Sequence, residues 1–119
     1  MKINITLSNG ISIAEIQSEE VELKDVGTAL DLIGNCGYQG ANIIILQKSN
    51  IIPEFFDLKN GIAGEILQKF STYDFQLFIV GDFSAYTSKS IQDFIRESNR
   101  IGRINFVSSW KEAKERCTK

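Results

Sequence analysis

Two short, strongly apolar runs constrain this chain most: Ile43-Ile44-Ile45-Leu46, which is unbroken, and FQLFIV at residues 75–80, in which Gln76 is the one polar residue. Runs of this length, bounded by turn or polar residues, suit strands covered on both faces, and such strands belong to parallel sheets flanked by helices. Asn42 to Leu46 therefore predicts a central parallel strand, and the second run predicts a neighbour that ends at Gly81-Asp82. Ile104 to Val107 predicts the last strand, and Ser109-Trp110-Lys111-Glu112 behind it reads as a capping box opening a final helix.

Helical periodicity fills the gaps. Asp25 is placed to cap a helix whose apolar residues Val26, Ala29, Leu30 and Ile33 recur at helical spacing, with Gly37 as its expected end. Pro53 suits the first position of a second helix, along which Phe55, Leu58, Ile62, Ile66, Phe70 and Tyr73 form one stripe. Gly61 and Gly64 fall inside that stripe, where each costs about 1 kcal/mol relative to Ala. Close approach of a neighbouring backbone is the preferred reading of that cost, ahead of a bare surface for a ligand, a partner or a second copy. Thr87 or Ser88 caps a third helix with Ile91, Phe94, Ile95 and Ser98 on one face.

The chain opens differently. Residues 2–7 alternate apolar and polar, Asn9-Gly10 is a hairpin turn signal, and Ile11, Ile13 and Ile16 return as a second strand. The expected fold is α/β, a mixed sheet of two or three layers with an opening β-hairpin followed by alternating helices and parallel strands, in one domain spanning residues 1–119.

Composition removes several chemistries. There is no histidine, so imidazole general bases, the usual nucleophile–His pairs and most zinc and iron sites are excluded. Cys36 and Cys117 stand far apart with no second cysteine near either, which fits two reduced thiols rather than a redox pair or zinc knuckle. There is no phosphate-loop or dinucleotide glycine motif. A net charge of −2 gives no attraction for nucleic acid, and Arg96, Arg100 and Arg103 have Glu97 among them and no interleaved aromatic platform. The start lacks a signal-peptide core, and no apolar run nears the ~20 residues of a membrane span. The expected setting is cytoplasmic, with neither nucleic acid nor membrane as partner, and no cofactor, metal ligand or catalytic residue is assigned.

The element order resembles the STAS fold of anti-sigma-factor antagonists and of the cytosolic domains of sulfate transporters. More specifically, LDLIGNCGYQGA (Leu30 to Ala41), FFDLKNGIAGEILQKF (Phe55 to Phe70), IVGDFSAYTSKS (Ile79 to Ser90) and FIRESNRIGRINFV (Phe94 to Val107) resemble the bacterial domain-of-unknown-function family 4180. That resemblance implies a small bacterial protein and brings no activity with it. Phosphorylatable STAS antagonists carry a D-S pair at the start of a helix; the comparable pair here is Asp57-Leu58, whose Leu cannot take the place of the acceptor Ser, and Ser49 is the nearest hydroxyl ahead of it.

Ligands of open α/β sheets bind beyond the carboxyl ends of parallel strands. That rule selects residues 47–50, 81–84 and 108–110, of which the middle loop has the densest hydroxyl supply. The expected ligand- or partner-binding residues are Asp57, Lys59, Asp82, Ser84, Tyr86, Thr87 and Ser88. Turn and cap duties are the commonest use of such Asp, Ser and Thr residues. Phe55, Phe56, Phe83 and Tyr86 would anchor a partner where exposed, with at least half expected in the core. A regulatory or protein-interaction module is the leading expectation, with a homodimer among the arrangements considered. The alternative is a small-molecule or anion site, enzymatic or not, at the same strand ends. One deep pocket joining the named residues favours the alternative, and a flat or filled surface favours the module.

Overall fold

The computed structural model describes residues 1–117. Five strands form one sheet in sequential order: β1 (Lys2–Ser8), β2 (Ile11–Gln17), β3 (Ile43–Gln47), β4 (Gln76–Val80) and β5 (Ile104–Val107). β1 pairs antiparallel with β2, and all later pairings are parallel. The hairpin forms where Asn9-Gly10 places it, both residues having positive φ (51° and 78°) as a two-residue turn matched to strand twist requires.

Four α-helices cover the sheet: α1 (Val26–Tyr38), α2 (Ile62–Thr72), α3 (Lys89–Ile101) and α4 (Trp110–Cys117). The sequential strand order puts α1, α2 and α3 on one face, over Ala14, Ile16, Ile44, Leu46, Leu77, Ile79 and Phe106. The opposite face carries Ile13, Ile43, Ile45, Phe78 and Val107, and α4 covers it with Ala113, Cys117 and the partly buried Trp110. Both faces of β3 and β4 are thus covered, which is why their sequences run apolar without alternation.

The caps follow the sequence closely. Asp25 and Thr28 form the reciprocal box of α1, and Ser88 Oγ accepts from Ile91 N at 3.3 Å. At α4 the expected box forms by half: Ser109 Oγ accepts from Glu112 N at 3.0 Å, while the Glu112 carboxylate accepts from Ser108 N at 2.9 Å, one residue ahead of the cap. Two helical expectations need correction. α1 buries Ala29, Leu32, Ile33 and Cys36 and leaves Leu30 exposed, so its core face is rotated; it runs past Gly37 to Tyr38, and Gly40 takes the positive φ.

The Pro53 helix is not one helix. Pro53–Phe56 and Leu58–Asn60 are separate 3-10 turns, and Gly61, at φ 78°, interrupts the chain before α2 begins. Asp57, at φ −92° and ψ 93°, separates the two turns and leaves helical geometry. The close-approach reading of the two glycines also fails: a Cβ at Gly61 or at Gly64 would meet no atom within 4 Å. Gly61 is there for its left-handed φ, and Gly64 lies on an exposed part of α2.

One connection is tied down from inside. Asn50 is 1% exposed; its Nδ2 donates to the carbonyls of Ser18 (3.0 Å) and Glu20 (2.9 Å), and its Oδ1 accepts from Gln47 N at 3.0 Å. The link between β2 and α1 is thereby held against the end of β3, where Leu23 bridges Ile51 in parallel.

Candidate functional site

The carboxyl ends of β3, β4 and β5 face a cluster of aromatic rings. Phe55 and Phe56 come from the first 3-10 turn and are buried, while Phe83 and Tyr86, from the loop after β4, are half-buried. Phe56 stacks on Tyr86 at 4.6 Å between centroids, and Phe83 meets Phe106 edge-on at 5.2 Å. Phe94 from α3 closes the cluster against Phe55 and Phe106. Ring pairs in these geometries add to area burial by about 0.5–1.5 kcal/mol each, so the cluster holds the irregular segments of both loops without regular secondary structure.

Lys48, at the end of β3, fastens the second loop. Its Nζ donates to the carbonyl oxygen of Asp82 at 3.0 Å and lies 4.7 Å from the Tyr86 ring centroid and 5.9 Å from that of Phe83. The stem of Lys48 crosses Gly81 so closely that a Cβ there would sit 2.7 Å from Lys48 Cβ. Gly81 therefore gives the lysine its passage. Neither role is visible in the sequence, because Gly81 reads as turn punctuation and Lys48 as a solvated loop residue.

The expected site residues mostly serve their own loops. The Asp82 carboxylate accepts from Ser84 N at 2.9 Å; hydrogen bonds from Ser84 first, then the charge of Lys48, hold it below the usual carboxylate range. Asp57 accepts from Lys59 N at 3.4 Å, and Ser88 is the α3 cap. Lys59 and Thr87 are exposed. Leu58 packs partly buried against the core.

Three open grooves surround the aromatic cluster, and six of the seven expected residues divide among them, Thr87 lining none of the three. One, of about 470 Å³, is lined by Asp57, Lys59 and Ser88 with Phe56, Leu58, Ser90 and Ile91. A second, of about 440 Å³, holds Ser84 and Tyr86 with Phe83, Gln92, Ile95, Arg96 and Asn99. The third, of about 460 Å³, holds Asp82 with Gly81, Phe83, Phe106, Val107, Ser108 and Glu112. Asp57 and Asp82 line different grooves, and among the described residues no group of three Asp, Glu, Cys or His side chains is placed to hold a metal ion. Phe83 is shared by the second and third grooves, and Tyr86, in the second, stacks on Phe56 of the first.

Charge on α3 and on the link that follows it is locally compensated. Arg96 pairs with Asp93, Arg100 with Glu97, and Arg103 with Asp74 at 3.2 Å. No helix of the described residues is long and apolar enough to cross a membrane.

Residues 8–117 match the family model described as Domain of unknown function (DUF4180). The chain belongs to that family. No curated protein and no solved structure matches it. The DUF4180 match spans β2 to α4 and with them the whole aromatic cluster, so the grooves described above lie within the family-defined part of the chain. Family membership in DUF4180 carries no assigned chemistry, and the reading of the site rests on its geometry.

Proposed function

We propose that this chain is a non-catalytic regulatory module that binds a protein partner at the aromatic cluster beyond the carboxyl ends of the parallel strands. The observation that carries the reading is the division of Asp57, Asp82 and Ser84 among three separate open grooves, with the half-buried ring of Phe83 shared by two of them and that of Tyr86 stacked on Phe56 of the other. Aromatic side chains seated on a rigid base and rimmed by polar groups are the usual anchors of protein interfaces. Phe56 and Phe106 supply that base. Asp82, Ser84 and Ser88 already bond their own loops, which leaves them as rim rather than as reacting groups.

The reading includes a bacterial, cytoplasmic setting and a STAS-like arrangement. A hairpin leading into sequential parallel strands supports the second, and two buried unpaired thiols suit a reducing compartment. Site-specific photo-crosslinking in cells tests the interface. A benzoylphenylalanine at position 86 is expected to capture one defined protein, and the same group at Tyr38, 94% exposed on α1, is expected to capture none. Equal capture at both positions would sink the interface. Saturable amide shifts of residues 81–88 with nucleotides or inorganic phosphate would replace it with a small-ligand site.

A further inference from the structure

The two edges of the sheet are built differently. β5 is four residues long. Arg103 and Val107 accept from Leu77 N and Gly81 N on the β4 side, so the main-chain groups of Phe106 point away from the sheet. Both are occupied: Asn99 Oδ1 accepts from Phe106 N at 2.7 Å, and Asn99 Nδ2 donates to Phe106 O at 3.3 Å. A side chain bonded to an edge in this way blocks addition of another strand there.

β1 forms the other edge, seven residues long with no proline. It runs in unbroken register with β2 from Lys2–Gln17 to Ser8–Ile11. The two-residue turn makes Ser8–Ile11 a hydrogen-bonded pair, and bonding alternates from there along an antiparallel ladder. The N–H and C=O groups of Ile3, Ile5 and Leu7 therefore turn toward the open edge. Their side chains share the sheet face of Ala14 and Ile16; Ile3 packs on the core, whereas Ile5 is 39% and Leu7 70% exposed.

β1 is complementary to itself about Ile5. With two copies antiparallel and Ile5 opposite Ile5, Ile3 meets Leu7, Asn4 meets Thr6, and Lys2 meets Ser8. Apolar faces apolar, polar faces polar, and the one charge on the strand faces a neutral hydroxyl, so no like charges oppose each other. The three residues whose main-chain groups point outward are also the three that pair in this register. We propose that the occupant of this edge is a second copy of the chain, paired antiparallel through β1 about a two-fold axis at Ile5, which joins the two five-stranded sheets into one. The exposed Ile5 and Leu7 side chains then cover Ile5 and Ile3 of the second copy.

Cysteine substitution and solution mass test the pairing. The purified chain is expected to sediment at twice 13.4 kDa. Opposed residues in a hydrogen-bonded antiparallel pair have Cα atoms about 5.5 Å apart, within reach of a disulfide. Ile5→Cys is therefore expected to oxidise to a covalent dimer, while Leu7→Cys, which faces Ile3 of the second copy, stays uncrosslinked. Cys36 and Cys117 are buried and do not compete. Ile5→Lys sets two ammonium groups against each other and is expected to give a monomer in which Thr6 N–H stays protected from exchange by β2. A wild-type monomer at roughly millimolar protein, a dimer that survives Ile5→Lys in the folded state, or crosslinking of Leu7→Cys as readily as Ile5→Cys would each overturn the proposal. A dimer built on the exposed surface of α2 at Gly64 gives the second of those outcomes. If Ile5→Lys fails to fold, the comparison of the two cysteine variants decides.

Discussion

At the residue scale, the two thiols show how burial sets chemistry. Burial pushes Cys36 up to about 11, and burial, against a small opposing effect of Arg116, does the same to Cys117. A thiol is nucleophilic only as thiolate, so both are expected to react with a disulfide reagent near neutral pH far more slowly than free cysteine, and at the free rate once urea unfolds the chain. The linkage to stability has a definite sign. The neutral thiol is favoured in the folded state, so this contribution is intact below the ordinary thiol value of about 9. It is lost as pH rises from there through about 11. The urea midpoint is expected to fall between about pH 8 and about pH 10.5, and to fall less in Cys36→Ala than in the wild type. Equal slopes in the two proteins would show that the thiol does not couple to folding.

At the element scale, the segment from Pro53 to Thr72 is the instructive one. Apolar residues at helical spacing run through it, yet the backbone breaks at Asp57 and again at Gly61. The stripe survives because short 3-10 turns still direct Phe55 and Leu58 inward, and helical spacing alone does not distinguish that path from one continuous helix. The two glycines separate on this ground. Gly61→Ala is expected to cost about 1–2 kcal/mol, because its left-handed φ strains any residue with a Cβ. Gly64→Ala is expected to stabilise by up to about 1 kcal/mol, since the new methyl meets no neighbour and removes backbone freedom from the unfolded chain. Urea unfolding of the two variants measures both signs.

At the scale of the whole molecule, α4 decides whether the sheet has one covered face or two. Ala113 is fully buried against the face of Ile45 and Phe78. An aspartate at position 113 places an unpaired charge in that layer at a cost of several kcal/mol, comparable to the margin that holds a domain folded. Ala113→Asp is expected to lower Tm by more than about 10 °C, whereas Tyr38→Asp, at an exposed position on α1, leaves it nearly unchanged. A small shift at position 113 would show that α4 is a detachable cover rather than part of the cooperative core.

The amino-acid sequence alone determined the order of elements, the opening hairpin, the paired caps and the apolar interior of the sheet. Each follows from neighbours within a few residues: two positive-φ positions at Asn9-Gly10, a cap at Asp25 or Ser88, an unbroken run at Ile43 to Leu46. The candidate residues could be named from their positions at strand ends, but their partners could not. Only the tertiary structure decided that Asp57 and Asp82 line different grooves, that Lys48 crosses Gly81 to reach Tyr86, that Asn99 closes the β5 edge, and that Gly64 stands clear of any neighbour. Those contacts join residues from elements distant along the chain, or depend on their separation in space, and local spacing carries no information about either.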